Sequence, residues 1–211
     1  MVPLDFLLFA TVFFNLFIII DPIAAIPLFL TITKENKPVE RHAMVFRACV
    51  IAFLVLAFFA IIGGKLLDYF EIKIQAVQIA GGILLFIIGL EMLFGRVSRT
   101  ETSEHEEKVA MEKDDVSITP LAIPLLAGPG AITAVMLFTH QYGGASGATI
   151  VVTALFVVLL LSWVMLRYSE WFQHVIGPIG MKVIGRVMGL ILTFVAAQHA
   201  LNGLQNAGLL P

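Results

Sequence analysis

Long apolar runs separated by short polar breaks organise this chain. Each run approaches the roughly 20 residues that a helix needs to cross about 30 Å of hydrocarbon, about twice the length of a barrel strand. The pattern predicts an all-α integral membrane protein with six transmembrane helices. They cover Leu4 to Thr31, Ala43 to Gly64, Ile74 to Gly95, Ile118 to Thr139, Thr149 to Leu166 and Val183 to Leu204. Between the third and fourth, RVSRTETSEHEEKVAMEKDDVS (Arg96 to Ser117) is the only long polar stretch and holds seven of the fifteen acidic residues. Its composition is that of a solvated linker. The organisation it implies is a first three-span repeat over 1–95, a cytoplasmic charged linker over 96–117 and a second, inverted three-span repeat over 118–211.

Composition agrees with this pattern and narrows the partners. Hydrophobic residues make up 59% of the 211 and charged residues 13%, with mean hydropathy +0.97. A soluble domain carries about a quarter charged residues. The net charge of −2 offers no basic patch, so nucleic acid is not an expected partner; membrane lipid is. One cysteine, Cys49, excludes an internal disulfide and reads as a small packing residue. The start MVPLDFLLFA lacks the basic region of a cleavable signal and reads as part of the first span. No motif calls for a cofactor or a metal.

Lysine and arginine set the sides. Lys34, Lys37, Arg41, Arg47, Arg96, Arg99, Lys108, Lys113, Arg167, Lys182 and Arg186 lie in or beside the loops after spans one, three and five. Only Lys65 and Lys73 lie on the other face, eleven against two. Positive residues mark the cytoplasm, so both termini are expected outside it.

The two halves resemble each other. AGGILLFIIGLEMLFG (Ala80 to Gly95) falls on MGLILTFVAAQHALNG (Met188 to Gly203) at an offset of 108, with six of sixteen positions identical. At an offset of 107, Asp21-Pro22 falls on Gly128-Pro129 and Ala24 on Ala131. Three spans is an odd number, so the second half enters from the opposite side and the repeats are inverted. Paired interrupted helices in inverted repeats point to a secondary transporter.

The two proline positions carry the candidate chemistry. Proline inside a helix costs roughly 3 kcal/mol, and aspartate at mid-bilayer about 2.5–3.5 kcal/mol. Both are tolerated if each site starts a new half-helix, with Asp21 or Gly128 as N-cap and Pro22 or Pro129 at the first helical position. Each start offers unpaired N–H groups and about half a positive charge. Two such ends facing one cavity bind an anion without arginine. The preceding half-helices, ending near Ile20 and Ala127, offer carbonyls for an ammonium or a cation. Donors beside acceptors suit a zwitterion, and the small residues Ala24, Gly130 and Ala131 favour a small one.

Three roles compete for Asp21: cap of its own half-helix, partner of a substrate ammonium, or coupling-ion site for H+ or Na+. The favoured reading is the cap with a second contact. Asn15 upstream and Thr133 beyond the second break can contact a ligand or satisfy neighbouring backbone. Glu91 and His199 occupy equivalent repeat positions at opposite ends of their spans, which argues against a proton-relay pair. In Gly185-Arg186-Val187-Met188-Gly189, a GxxxG pattern, packing within the protein takes precedence over dimerisation; a homo-oligomer is left open.

DPIAAIPLFL in the first span, IAGGILLFIIGLEML in the third, TPLAIPLLAGPGAIT in the fourth and RVMGLIL in the sixth together resemble the MarC family. Its members are six-span inner-membrane proteins of bacteria and archaea, and the resemblance covers essentially the whole chain. The archaeal branch SnatA comprises transporters of small neutral amino acids such as glycine and alanine. Similarity to that branch implies a substrate bound around Asp21, Pro22, Ile23 and Ala24 in one broken span. In the other it implies Gly128, Pro129, Gly130 and Ala131, to which the reading of the residues adds Ala127, Asn15 and Thr133 as candidate contacts. The expected function is secondary active transport of such an amino acid by alternating access, driven by H+ or Na+, and not an enzymatic one. A channel or an exporter for another small solute could use the same half-helix site. An intramembrane aspartyl protease needs two facing carboxylates, and only Asp21 is deep enough.

Overall fold

A computed structural model describes residues 4–95, 121–122, 125–142 and 144–210. The expected linker over 96–117 lies outside them. Seven α-helices account for most of the described chain: α1 Leu4–Ile20, α2 Pro22–Ile32, α3 Pro38–Tyr69, α4 Ile74–Leu93, α5 Pro129–Tyr142, α6 Gly144–Arg167 and α7 Ser169–Asn206. Among the described residues there is no strand.

Among the described residues, five segments are long and apolar enough to cross a membrane: Phe6–Ile32, α3, α4, Gly147–Arg167 within α6, and α7. The fourth expected crossing is not among them. Its first part contains π-helical residues at 121–122 and 125–126, where the Ala127 N–H donates to Ala122 O at 2.9 Å, five residues back. Gly128 is non-helical and α5 starts at Pro129. The 14 residues of α5 span about 21 Å, too short to cross about 30 Å of hydrocarbon alone.

Two boundaries differ from expectation. Helix α3 starts at Pro38 rather than near Ala43, because Pro38 takes the first helical position and the Glu40 carboxylate accepts from the Lys37 N–H at 3.0 Å. Helix α7 starts at Ser169 rather than Val183. The Gly177-Pro178 pair, which breaks the apolar pattern, is a joint inside the helix: Gly177 has φ 74° and ψ 164°. Phe172 and Ile176, ahead of it, pack on the core.

On α3 small residues are prominent on the inward face and several large ones point outward. Helix α3 buries Ala48, Cys49, Ala52, Ala60 and Gly63 and exposes Phe46, Leu54, Phe58 and Ile61. That inversion suits a bundle in lipid, where close backbone approach drives packing. Helix α5 is central: Gly130, Ala131 and Ala134 to Phe138 are all buried. It touches α1, α3, α4 and α6.

Neighbour relations come in pairs. Helix α2 packs on α6 as α5 packs on α3, and α2 packs on α7 as α5 packs on α4. Helices α4 and α7 form the most extensive contact, and they run antiparallel. Gly82 faces Ala196 and Ala200, Gly89 faces Gly189 and Thr193, and Gly203 faces Gln78 and Ile79.

Candidate functional site

The joint at Asp21 is made by one residue serving two helices. Its N–H donates to Phe17 O at 3.0 Å, so it closes the last turn of α1. Its backbone is left-handed (φ 41°, ψ 66°), the conformation that commonly terminates a helix. Aspartate is among the few residues with a side chain that tolerate it. The chain then turns into Pro22, whose missing N–H costs nothing at a helix start. The Asp21 carbonyl accepts from the Ala25 N–H at 3.3 Å, and Oδ1 accepts from the Ala24 N–H at 3.2 Å. Asp21 is therefore the cap that the sequence suggests, but a left-handed one that also terminates α1. Its residue surface is 6% exposed, and Oδ2 is buried without a hydrogen-bond partner.

The second joint is built alike at the backbone and differs at the side chain. The Gly128 carbonyl accepts from the Ile132 N–H at 3.0 Å, which matches the Asp21 to Ala25 bond. Gly128 has no side chain to cap α5. The N–H groups of Gly130 and Ala131, in its first turn, have no carbonyl one turn back. The two half-helix starts are thus not equivalent donors, as the repeat suggests they would be. The start of α2 is capped by its own carboxylate oxygen, whereas among the described residues no side chain is seen to cap the start of α5.

The structure brings the two joints together. A Cβ on Gly130 would lie 2.5 Å from Leu85 Cδ2 of α4 and 3.8 Å from Ile19 Cγ2, two residues before Asp21. Pro22, Ala127, Gly128, Gly130 and Ala131 are buried, and Ile23, Ala24 and Pro129 are partly so. Asn15 and Thr133 lie near the joints, but each donates to backbone one turn back: Asn15 Nδ2 to Thr11 O and Thr133 Oγ1 to Pro129 O, both at 2.8 Å. The Thr133 methyl is pressed against Gly81 of α4. Leu85 and Ile19, which cover the start of α5, have no distinguishing mark in an apolar sequence. Only the glycine opposite them signals a close approach.

Other singled-out residues lie elsewhere. The His199 ring packs on Phe138 at 6.1 Å. Cys49 is buried in the core. Gly189 is pressed on α4, whereas Gly185 meets nothing within 4 Å. Among the described residues no three of His, Cys, Asp and Glu converge as a metal site. A cavity of about 520 Å³ lies at the far ends of α3 and α5, lined by Gly64, Leu67, Asp68, Lys73 and His140 among others. His140 is 11 residues beyond Pro129, about 16 Å along the helix, so this cavity is distinct from the joints.

A family model described as MarC family integral membrane protein matches residues 6–208. The UPF0056 membrane protein YvbG of Bacillus subtilis is 37% identical, over 94% of this chain and 92% of its own length. The UPF0056 membrane protein MJ1677 of Methanocaldococcus jannaschii is 35% identical, over 97% and 99%. The UPF0056 inner membrane protein YhgN of Escherichia coli is 34% identical, over 90% and 92%. No solved structure shows significant similarity to the chain. The resemblance seen in the DPIAAIPLFL and AGPGAIT segments thus extends along nearly the whole length, to relatives in bacteria and archaea alike. This chain belongs to the MarC family of integral membrane proteins.

Proposed function

We propose that the protein is a secondary active transporter of small neutral amino acids, of the glycine or alanine type. It works by alternating access across the cytoplasmic membrane, coupled to a gradient of H+ or Na+. The observation that carries this reading is the meeting of two broken helices, with Gly130 at the start of α5 against Ile19 at the end of α1. Their inequivalence gives the substrate a direction. Its carboxylate takes the uncapped start of α5, where backbone N–H groups and the helix dipole favour an anion. Its ammonium takes Asp21 Oδ2, the buried oxygen without a partner, together with the carbonyls that end α1. Burial of both joints suits a carrier that occludes its cargo better than an open pore.

Inverted repeats give the alternating motion its geometry. Their support is the paired neighbour relations and the antiparallel α4–α7 contact between equivalent segments. The lysine and arginine bias favours termini outside the cytoplasm. The sequence resemblance to the SnatA branch supplies the substrate class.

Uptake of labelled glycine and alanine into proteoliposomes tests the proposal. Saturable uptake with counterflow, raised by an imposed proton or sodium gradient, is expected. Folded protein that moves no amino acid would sink it, and non-saturable flux without counterflow would indicate a channel.

Gly130→Ala tests the site itself. Its Cβ would lie 2.5 Å from Leu85 Cδ2, the far end of a flexible side chain, so the fold should lose only about 1–3 kcal/mol. The methyl also screens the amides at the start of α5. Substrate half-saturation should rise about tenfold, while Gly64→Ala, in open space on α3, leaves it unchanged; a loss of about 1.4 kcal/mol corresponds to that factor.

A further inference from the structure

Arg41, near the start of α3, is bonded at the far end of α2 from the Asp21 joint. Its Nε donates to Thr33 O at 2.9 Å and Asn36 O at 3.1 Å, and one terminal nitrogen donates to Lys34 O at 3.1 Å. The other terminal nitrogen pairs with Glu170 of α7. A guanidinium thus closes the carbonyl end of α2, where a cation is favoured, and pairs with a carboxylate in the first turn of α7, where an anion is favoured. Glu170 belongs to the other half of the chain.

Helix α2 has 11 residues with Pro27 inside it, a rod of about 16 Å. Asp21 holds one end and Arg41 the other. Helix α3 is 32 residues long, so Arg41 and the 520 Å³ cavity at its far end are separated by nearly the full length of a helix of about 48 Å. One face of the protein is drawn together by this bond network, and the opposite face holds the cavity.

We propose that Arg41 and Glu170 form the latch of the gate on the positively charged face, with Arg41 as a positioning residue that fixes α2 against α7. Release of Glu170 frees the rod to swing about the Asp21–Pro22 joint and opens a path from that face to the breaks. Glu170 is 70% exposed and Arg41 only 17%. The pair can therefore part on the water-exposed side while Arg41 keeps its three carbonyls and α2 stays intact. This rests on the alternating-access reading.

The test uses the full chain with Cys49→Ser and a reporter, Ala25→Cys, in the first turn of α2, where the alanine is 2% exposed. Sealed vesicles of both orientations receive a membrane-impermeant maleimide. Glu170→Gln should speed labelling from the Arg41 face about threefold, the scale of a surface ion pair, and slow it from the opposite face. Glu170→Asp should restore the native rates, and Arg41→Lys should shift them as Glu170→Gln does. Unchanged rates, or faster labelling from both faces, would overturn the latch, the second because it marks a loosened fold. The labelling shift together with no amino-acid flux by the parent protein would sink the transport reading and leave the latch standing. Normal flux without the shift would sink the latch alone.

Discussion

Asp21→Asn should leave the protein folded and lower both gradient-driven accumulation and substrate exchange in proteoliposomes. The fold survives because asparagine tolerates the left-handed backbone at φ 41°. Its side-chain oxygen can also accept from the Ala24 N–H, as Oδ1 does now. The charge proposed to face the substrate ammonium is lost. A hydrogen bond to a charged group contributes about 1.5–3 kcal/mol, so apparent affinity should fall roughly 10- to 150-fold. If exchange survives while accumulation alone is lost, the carboxylate serves the coupling ion and not the substrate. Asp21→Ala should be less stable than Asp21→Asn by about 2–3 kcal/mol, since alanine opposes the left-handed backbone by about 1–2 and lacks the cap, worth about 1. Asp21→Gly relieves the backbone and loses only the side-chain cap, so it should fall between them. Thermal midpoints in detergent check the order, and alanine melting above glycine would refute the two-helix role of this residue.

The breaks were legible because their chemistry is local. A residue with an acceptor or no side chain, followed by proline, has few ways to exist inside an apolar run, and Pro22 and Pro129 both open helices. Five of the six expected crossings were legible for the same reason: length and polarity alone decide them. The start of α7 was not. Glu170, Gly177 and Pro178 make 167–182 look like a loop, yet Gly177 bends the helix at φ 74° and Phe172 and Ile176 anchor the piece before it. The unlike ends of α2 and α5 follow from Oδ1 turning back to Ala24, a rotamer that no spacing encodes. Arg41 was counted only as a positive charge. Its bonds to three carbonyls and to a carboxylate 129 residues away depend on how the halves meet. Asn15 and Thr133 were visible as polar groups, and their bonds to Thr11 O and Pro129 O show why a hydroxyl or amide in a helix is weak evidence of a ligand.

Gly189→Leu should cost far more stability than Gly185→Leu, although the two glycines form one GxxxG pattern. A Cβ on Gly189 would lie 2.7 Å from Met92 Cβ, 2.8 Å from Gly89 O and 2.8 Å from Leu93 N. Two of these are backbone atoms of α4, which cannot turn aside as a side chain can. Relief requires moving α4 off α7, and this seam runs from Gln78 against Gly203 to Leu93 against Gly189. Overpacking a tight site costs about 1–3 kcal/mol for small insertions, and four added carbons should exceed that. Gly185 meets nothing within 4 Å, so leucine there projects into free space and should leave the melting temperature close to native. Gly89→Leu, on the facing helix, should match Gly189→Leu, because its Cβ would lie 2.9 Å from both Gly189 O and Thr193 N. Melting temperatures and monodisperse yield in detergent measure all three. Equal losses at Gly185 and Gly189 would mean that the motif packs against something other than α4. Loss confined to Gly189 and Gly89 would show that close helix contact within one chain is what the motif serves. In that case α4 and α7 form the fixed axis against which α2 and α5 move.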